Sequence, residues 1–328
     1  MDATDGSNAE FDSATTHLLI GVCTFRRPDG LRALVSALPT QRFTRIARPR
    51  ISVLAVDNDC DAAVAALTRE LAQCFDFEVR YHAEARRGIA QARNALIANV
   101  SDDVDWVLFV DDDEVPRDDW LEEMLLGVAR SSADAISGYV VAAPVPGYPR
   151  WVRDGRFFTS PRGKDVADYS EVGFGVMGNF LLNAAFLRTH ALAFDERLGL
   201  VGSEDKAFFM AIRAYGGKLS FTSRAVLDHF VPASRAQLGY LLRREFRVGC
   251  GRGLALRYGR ANGSSVARFV GRAALRLLVD TLLLPFKTLV GLFSNNHFER
   301  VKPLFDIAQW AGRLYGAVGA RYEQYLHE

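Results

Sequence analysis

Trp106-Val107-Leu108-Phe109-Val110-Asp111-Asp112-Asp113-Glu114-Val115-Pro116 is the stretch on which the reading of this chain turns. An apolar run of about five residues has the length of a buried strand, and it stops in consecutive acids and a proline that has no N–H to continue a ladder. The acids therefore stand at a strand's carboxyl end, the edge at which open α/β sheets bind ligands. Carboxylates this close raise one another's pKa unless a positive group joins them, and a divalent cation would do so. Asp111 and Asp113 are expected on one face of an extended segment with Asp112 opposite, an Asp-x-Asp pair able to hold a hard cation or reach a ribose. The competing reading is a solvated acidic turn that caps the next helix, a task open to Asp118 and Asp119.

Upstream, strands are expected over 18–23, 51–56 and 77–82, with helices between them. Thr24-Phe25-Arg26-Arg27-Pro28-Asp29 follows the first strand and lacks the G-x-G-x-x-G of a dinucleotide-binding unit, which argues against nicotinamide chemistry. Thr24 and Arg26 offer hydrogen bonds and positive charge at the ligand edge, unless the arginines are simply solvated. Asp57, ending the second strand, can accept from a base N–H or a ribose hydroxyl, or serve the following helix start. The helix opening at Arg86-Arg87-Gly88-Ile89-Ala90-Gln91-Ala92-Arg93-Asn94 has a basic start suited to phosphate. Repeated strand–helix alternation predicts an α/β fold whose sheet is mainly parallel, with helices on both faces.

Downstream, 135–141 reads as a strand, and 144–170 as a long loop of the kind usually tied to function, with Trp151 either stacking on a sugar or anchoring the loop. A further strand is expected over 180–182. Gly202-Ser203-Glu204-Asp205 opens a helix over 205–215, placing Asp205 where a general base could face a pocket, although the same residues suit an ordinary helix start. Residues 226–230 read as a last short strand carrying His229, which taken alone would be structural.

Thr24 and Arg26, Asp57, Arg93-Asn94, Asp111-Asp112-Asp113, Gly202-Ser203-Glu204-Asp205 and His229 stand in the order and spacing of family 2 nucleotide-sugar glycosyltransferases. Over residues 18–252 the chain resembles that family, and its bacterial exopolysaccharide branch in particular. The resemblance implies a glycosyltransferase-A fold (Rossmann-like, with a mixed, mainly parallel sheet), a nucleotide-diphosphate sugar donor of the UDP type, Mg²⁺ or Mn²⁺, and inversion at the anomeric carbon. It assigns Thr24, Arg26 and Asp57 to the base, Arg93 to the base or diphosphate, and Asp111 to the ribose. Asp113 would hold the metal and Asp205 would be the catalytic base, while Asp112 and Glu204 belong to the donor-binding set. His229, in Val226-x-x-His229-Phe230-Val231-Pro232, would join the metal or diphosphate. Arg235, Arg243, Arg244 and Arg247 could supplement the metal on the diphosphate. The processive signature Gln-x-x-Arg-Trp is missing, with Leu242-Arg243-Arg244-Glu245-Phe246-Arg247 in its region, so transfer of one sugar per acceptor is expected. The implied acceptor is a lipid-linked saccharide of cell-surface polysaccharide assembly.

Other functions fit less well. A sugar-phosphate nucleotidyltransferase would carry a glycine-rich phosphate loop after the first strand. A phosphohydrolase would need a nucleophile pattern that Asp57 does not complete. A non-catalytic scaffold of a membrane assembly complex would have no use for both Asp113 and Asp205.

The formal charge of +1 over 328 residues hides a division, because residues 235–328 hold 15 Lys/Arg against 6 Asp/Glu. Such asymmetry suits phosphate, anionic lipid or a partner and argues against a nucleic-acid-binding surface. The expected organisation is a disordered polar tail over 1–16, a catalytic domain over 17–235 and a basic helical region over 236–328. Residues 1–16 lack the features of an export signal, and the scattered cysteines read as buried thiols, so a cytoplasmic protein is expected, peripheral on the inner face of the membrane.

In the last region Phe269, Val270, Ala273, Ala274, Leu277, Leu278, Leu282 and Leu289 make a helical stripe, and Arg268, Arg272, Arg276 and Asp280 a polar line on which Arg276 would pair with Asp280. Its charges exclude a spanning helix, and Pro285 is expected to end or kink it. The stripe would lie in an anionic leaflet or pack on the protein.

Overall fold

The computed structural model describes residues 12–143, 148–160, 166–258 and 263–322. Most of the polar segment 1–16 lies outside these residues, as do 144–147 and 161–165 of the expected loop. Within it, Thr16 Oγ1 donates to the Asp12 carbonyl at 2.7 Å, closing a turn before the first strand.

The first half of the fold is β1 (His17–Thr24), α1 (Pro28–Ser36), β2 (Arg50–Asp57), α2 (Ala62–Cys74), β3 (Glu78–Ala83), α3 (Ile89–Ala98) and β4 (Trp106–Asp111). These strands pair in parallel in the order β3-β2-β1-β4. The runs of β1, β2 and β4 are nearly continuous in apolar residues because both faces are covered, while the edge strand β3 alternates with polar residues. Leu18, Ile20 and Val22 of β1 enter one core with Leu31 and Leu34 of α1. Leu19 points the other way, into a second core with Leu96 of α3.

The chain continues through β5 (Glu114–Pro116), α4 (Trp120–Ser131), β6 (Ala135–Ala142), α5 (Arg150–Asp154), β7 (Asn179–Asn183), α6 (Ala184–Thr189), α7 (Glu204–Ala214) and β8 (Leu219–His229). The complete sheet runs β3-β2-β1-β4-β7-β6-β8-β5, with β7 antiparallel to β4 and β6, and β5 antiparallel to β8. The expected mixed, mainly parallel α/β sheet is borne out.

Two local expectations are corrected. The acid stretch does not leave the sheet at Pro116: the chain turns at Asp112–Asp113, and Glu114 to Pro116 return as an edge strand, with Glu114 opposite His229. An edge position tolerates a proline because its missing N–H owes nothing to a neighbour. The short strand expected around His229 is the end of one that begins at Leu219.

Trp151 packs against Phe157 and Phe305 with ring centroids 6.0 Å away in each case, so it anchors its segment to the carboxyl-terminal helices. Cys250 is buried, whereas Cys60 and Cys74 are exposed, contrary to the expectation of buried thiols throughout.

The expected helical region is α8 (Leu238–Tyr258), α9 (Gly263–Leu282), α10 (Leu284–Leu292) and α11 (Lys302–Ala317). Pro285 sits in the first turn of α10, where its missing N–H is harmless, and separates it from α9. Asp280 pairs with Lys287 Nζ at 2.6 Å rather than with Arg276, because it faces inward, 4% exposed, while Arg276 faces out. Helices α8 and α11 meet backbone to backbone through glycines. A Cβ on Gly312 would lie 2.0 Å from the Phe246 carbonyl oxygen, and one on Gly316 equally close to that of Cys250. Gly312→Ala is therefore expected to lower stability by about 1–3 kcal/mol through overpacking. A urea-denaturation midpoint equal to wild type would contradict that packing.

Candidate active site

The parallel pairing sets Thr24 opposite Asp57 and Cys23 opposite Asp111, bringing the ends of β1, β2 and β4 to one edge. Thr24 Oγ1 donates to Asp112 Oδ2 at 2.8 Å. Arg27 Nη1 lies between Asp112 Oδ1 at 2.9 Å and Asp113 Oδ2 at 2.7 Å. Asp113 Oδ2 is also 3.4 Å from Arg235 Nη1 and 3.5 Å from His229 Nε2. Burial pushes the Asp112 carboxyl up to about 6 against the pull of Arg27. Burial acts in the same sense on Asp113, but His229, Arg27 and Arg235 prevail and hold it down at about 2.

A second group is organised by Arg93 of α3, a buried guanidinium that donates to Glu204 Oε1 at 2.8 Å and Asp111 Oδ1 at 3.2 Å. It ties the end of β4 to the start of α7. The turn before α7 needs positive φ at Gly202 (88°) and at Ser203 (76°). Gly251 of α8 backs that turn, since a Cβ there would come within 2.3 Å of Ser203 Oγ. Burial, then the charge of Asp205, raise the Glu204 carboxyl to about 7 in spite of Arg93. Asp205, the next residue, is partly exposed.

The other expected site residues fall differently. Asp57 is fully buried, and its carboxylate accepts from Asp59 N (3.0 Å), Asp61 N (2.7 Å) and Tyr81 Oη (3.0 Å), so here it organises the loop after β2. Arg26 turns outward at φ 56° and donates to Asp59 Oδ2 at 2.9 Å. Arg27, the residue that meets the acids, stands out in the sequence only as a solvated neighbour of Arg26. Two further residues escape the sequence reading, Glu114 and Gly178. A Cβ on Gly178 would stand 2.7 Å from Asp111 Oδ2 and 2.9 Å from Glu114 Oε2. Burial raises the Glu114 carboxyl well above the usual range, and its Oε2 has no hydrogen-bond partner.

Among the described residues, no three His, Cys, Asp or Glu side chains form a closed metal cage. A hard cation that also takes substrate phosphates needs only one or two protein ligands. Asp113 suits that role, as does His229, whose Nε2 lies 3.5 Å from Asp113 Oδ2.

A mixed sheet of this order, with an acid turn after β4 and a Glu-Asp pair opening α7, is that of a glycosyltransferase-A enzyme. The model of Glycosyl transferase family 2 matches residues 19–190. The chain is 33% identical over 235 residues to the succinoglycan biosynthesis protein ExoM of Rhizobium meliloti, covering 72% of this chain and 74% of that protein. The chain belongs to glycosyl transferase family 2. Its fold is similar to that of the mannosyltransferase PcManGT from Pyrobaculum calidifontis, solved with GDP-Man and Mn²⁺, at a TM-score of 0.61 and 18% identity over 94% of this chain and 91% of that one. It is also similar to S. aureus TarS 1-349 solved with UDP-GlcNAc, at a TM-score of 0.51 and 16% identity over 94% of this chain and 93% of that one.

Because Arg93 is the buried partner of Glu204, Arg93→Ala is expected to cost about 3–5 kcal/mol by leaving that buried carboxylate uncompensated. Adding Glu204→Gln should recover part of that loss. Chemical denaturation of the single and double variants checks both, and a stable Arg93→Ala would show that the pair holds nothing together.

Proposed function

We propose that this glycosyltransferase moves one sugar, with inversion, from a UDP-sugar to a hydroxyl of a lipid-linked saccharide in the assembly of an extracellular polysaccharide. The observation that carries the reading is the Arg93 bridge, which fixes the start of α7, and with it Asp205, against the strand that ends in Asp111. In a single displacement the acceptor oxygen attacks the anomeric carbon as Asp205 takes its proton. The bond from that carbon to the diphosphate oxygen breaks on the opposite face, releasing the nucleoside diphosphate.

Asp113 and His229 would hold a Mg²⁺ or Mn²⁺ ion, whose charge offsets that of the departing diphosphate. Asp111 serves the ribose; Thr24, with Arg26 and the loop ordered by Asp57, forms the base end. Asp112 fixes Thr24 and Arg27 in place, and Glu204 holds Arg93. Arg235, already at Asp113, is placed for the diphosphate, together with arginines of α8.

The polysaccharide assignment follows the name of the relative in succinoglycan biosynthesis. A lipid-linked acceptor would bring the chain to the cytoplasmic face of a membrane. The two solved neighbours carry different donors, GDP-Man and UDP-GlcNAc, so the base is the first quantity to measure.

Thermal shifts with each nucleoside diphosphate, with and without Mn²⁺, are expected to rise most for UDP with the ion, since ligands of the folded state raise its melting temperature. Asp205→Asn should keep that shift and lower turnover by about two to four orders of magnitude. Asp113→Ala should lose the Mn²⁺-dependent part of UDP affinity in calorimetry. Unchanged turnover or unchanged affinity would sink the corresponding role. Mass spectrometry of the product should show an increment of one sugar, and a ladder would contradict single transfer.

A further inference from the structure

Helices α9 and α10 carry two apolar faces with different fates. The stripe read from the sequence divides: α9 packs on α11, with Ala273 1% exposed and Phe269, Val270 and Leu277 partly buried, whereas Ala274, Leu278, Leu282 and Leu289 face out. The last three belong to an outward line. Leu275, Leu278, Leu282, Phe286, Leu289 and Phe293 are between 54% and 85% exposed. Their spacing of three and four residues runs on through the junction at Pro285, so the two helices present one continuous ridge. An exposed apolar surface of this extent marks a contact with something else.

The charges beside the ridge say what that is. Arg268, Arg272 and Arg276 are exposed at four-residue steps along α9. The only acid from 263 to 293 is Asp280, which is buried and paired with Lys287. The surface therefore offers apolar side chains and guanidinium groups with no exposed carboxylate between them. A second copy docking through the same face would bring like-charged rows together with no acid on either side to pair them. No helix among the described residues is long and apolar enough to cross a bilayer.

We propose that the outward face of α9 and α10 docks on an anionic lipid leaflet, the leucines and phenylalanines entering the headgroup–acyl boundary and the arginines meeting lipid phosphates. The use of such docking, to bring the site to its acceptor, rests on the lipid-linked acceptor proposed above. The docking itself does not, so the two can fail separately.

The test is flotation of the full-length protein with vesicles of phosphatidylcholine alone and of phosphatidylcholine with phosphatidylglycerol. Wild type is expected to float with the anionic vesicles, and less so as salt is raised. Phe286→Glu combined with Leu289→Glu should abolish flotation. Arg272→Gln combined with Arg276→Gln should weaken it about 30-fold, the worth of two surface cations at roughly 1 kcal/mol each. Both variants should keep the wild-type melting temperature and its UDP-dependent shift, which excludes misfolding as the cause. A wild type that ignores anionic vesicles overturns the proposal. So does flotation unaffected by either pair of substitutions, or sedimentation showing a dimer that Phe286→Glu dissociates while vesicle binding is absent. Flotation as described, without sugar transfer to any lipid-linked acceptor, would leave the docking standing and remove the acceptor assignment.

Discussion

The arrangement of the site depends on one buried guanidinium. Arg93 enters from α3, crosses beneath the sheet edge, and spends its fork on two carboxylates that the sequence separates by 93 residues, Asp111 and Glu204. A buried ion pair of this kind is a poor source of net stability, because desolvation cancels much of the attraction. Its value lies in register, since Glu204 cannot shift without leaving a charge uncompensated in an apolar surround. The aromatic ring of Phe194 lies 5.6 Å from the guanidinium and closes off that alternative. Glu204 is thereby committed to holding the turn, leaving its neighbour Asp205 as the carboxylate presented outward.

The same constraint explains why the carboxyl-terminal helices are part of the machine and not an appendage. The turn at Gly202–Ser203 needs positive φ at both residues, a costly conformation for serine that only a surrounding structure can enforce. Gly251 of α8 supplies that surround at backbone distance, and Arg247 lies over Gly202, where a Cβ would meet its Nη1 at 2.7 Å. Helix α8 is in turn held by α11 through glycines on both partners. The chain of contact thus runs from α11 through α8 to the residue before Glu204, and each link is an approach that a single methyl group would obstruct.

Strands β1, β2 and β4 are legible in the sequence because each is a nearly unbroken apolar run ended by polar residues, the pattern a sheet covered on both faces demands, and β3 because it alternates as a sheet edge does. The edge strand Glu114–Pro116 is not, since it is three residues long, opens on an acid and ends in proline. The early part of β8 hides behind buried polar residues, Ser220 and Thr222, and an exposed Ser223-Arg224 pair that breaks alternation. In the site, the acid turn stands out because consecutive carboxylates at the end of an apolar strand repel one another unless a cation or ligand meets them, and Asp205 follows from its place at a helix start. Arg27 could not be told from Arg26: a single positive φ at Arg26 sends one side chain to Asp59 and the other to Asp112 and Asp113. In α9 the periodicity announces a helix with an apolar stripe, but period alone does not say which of its members meet the protein and which, like Leu278 and Leu282, face out.

The acid turn gathers more carboxylates than guanidinium groups. Arg27, Arg93 and Arg235 with His229 face Asp111, Asp112, Asp113, Glu114 and Glu204, and they do not neutralise that set. Burial raises the carboxyls of Glu114, Glu204 and Asp112, the last to about 6, while the neighbouring positive groups draw Asp113 down to about 2. Asp113, held down in this way, has His229 Nε2 3.5 Å from its Oδ2. Asp112 and Glu114, on either side of Asp113, are buried more deeply than Asp113 itself, which is a property of the turn between β4 and β5 and of Arg27 reaching across it.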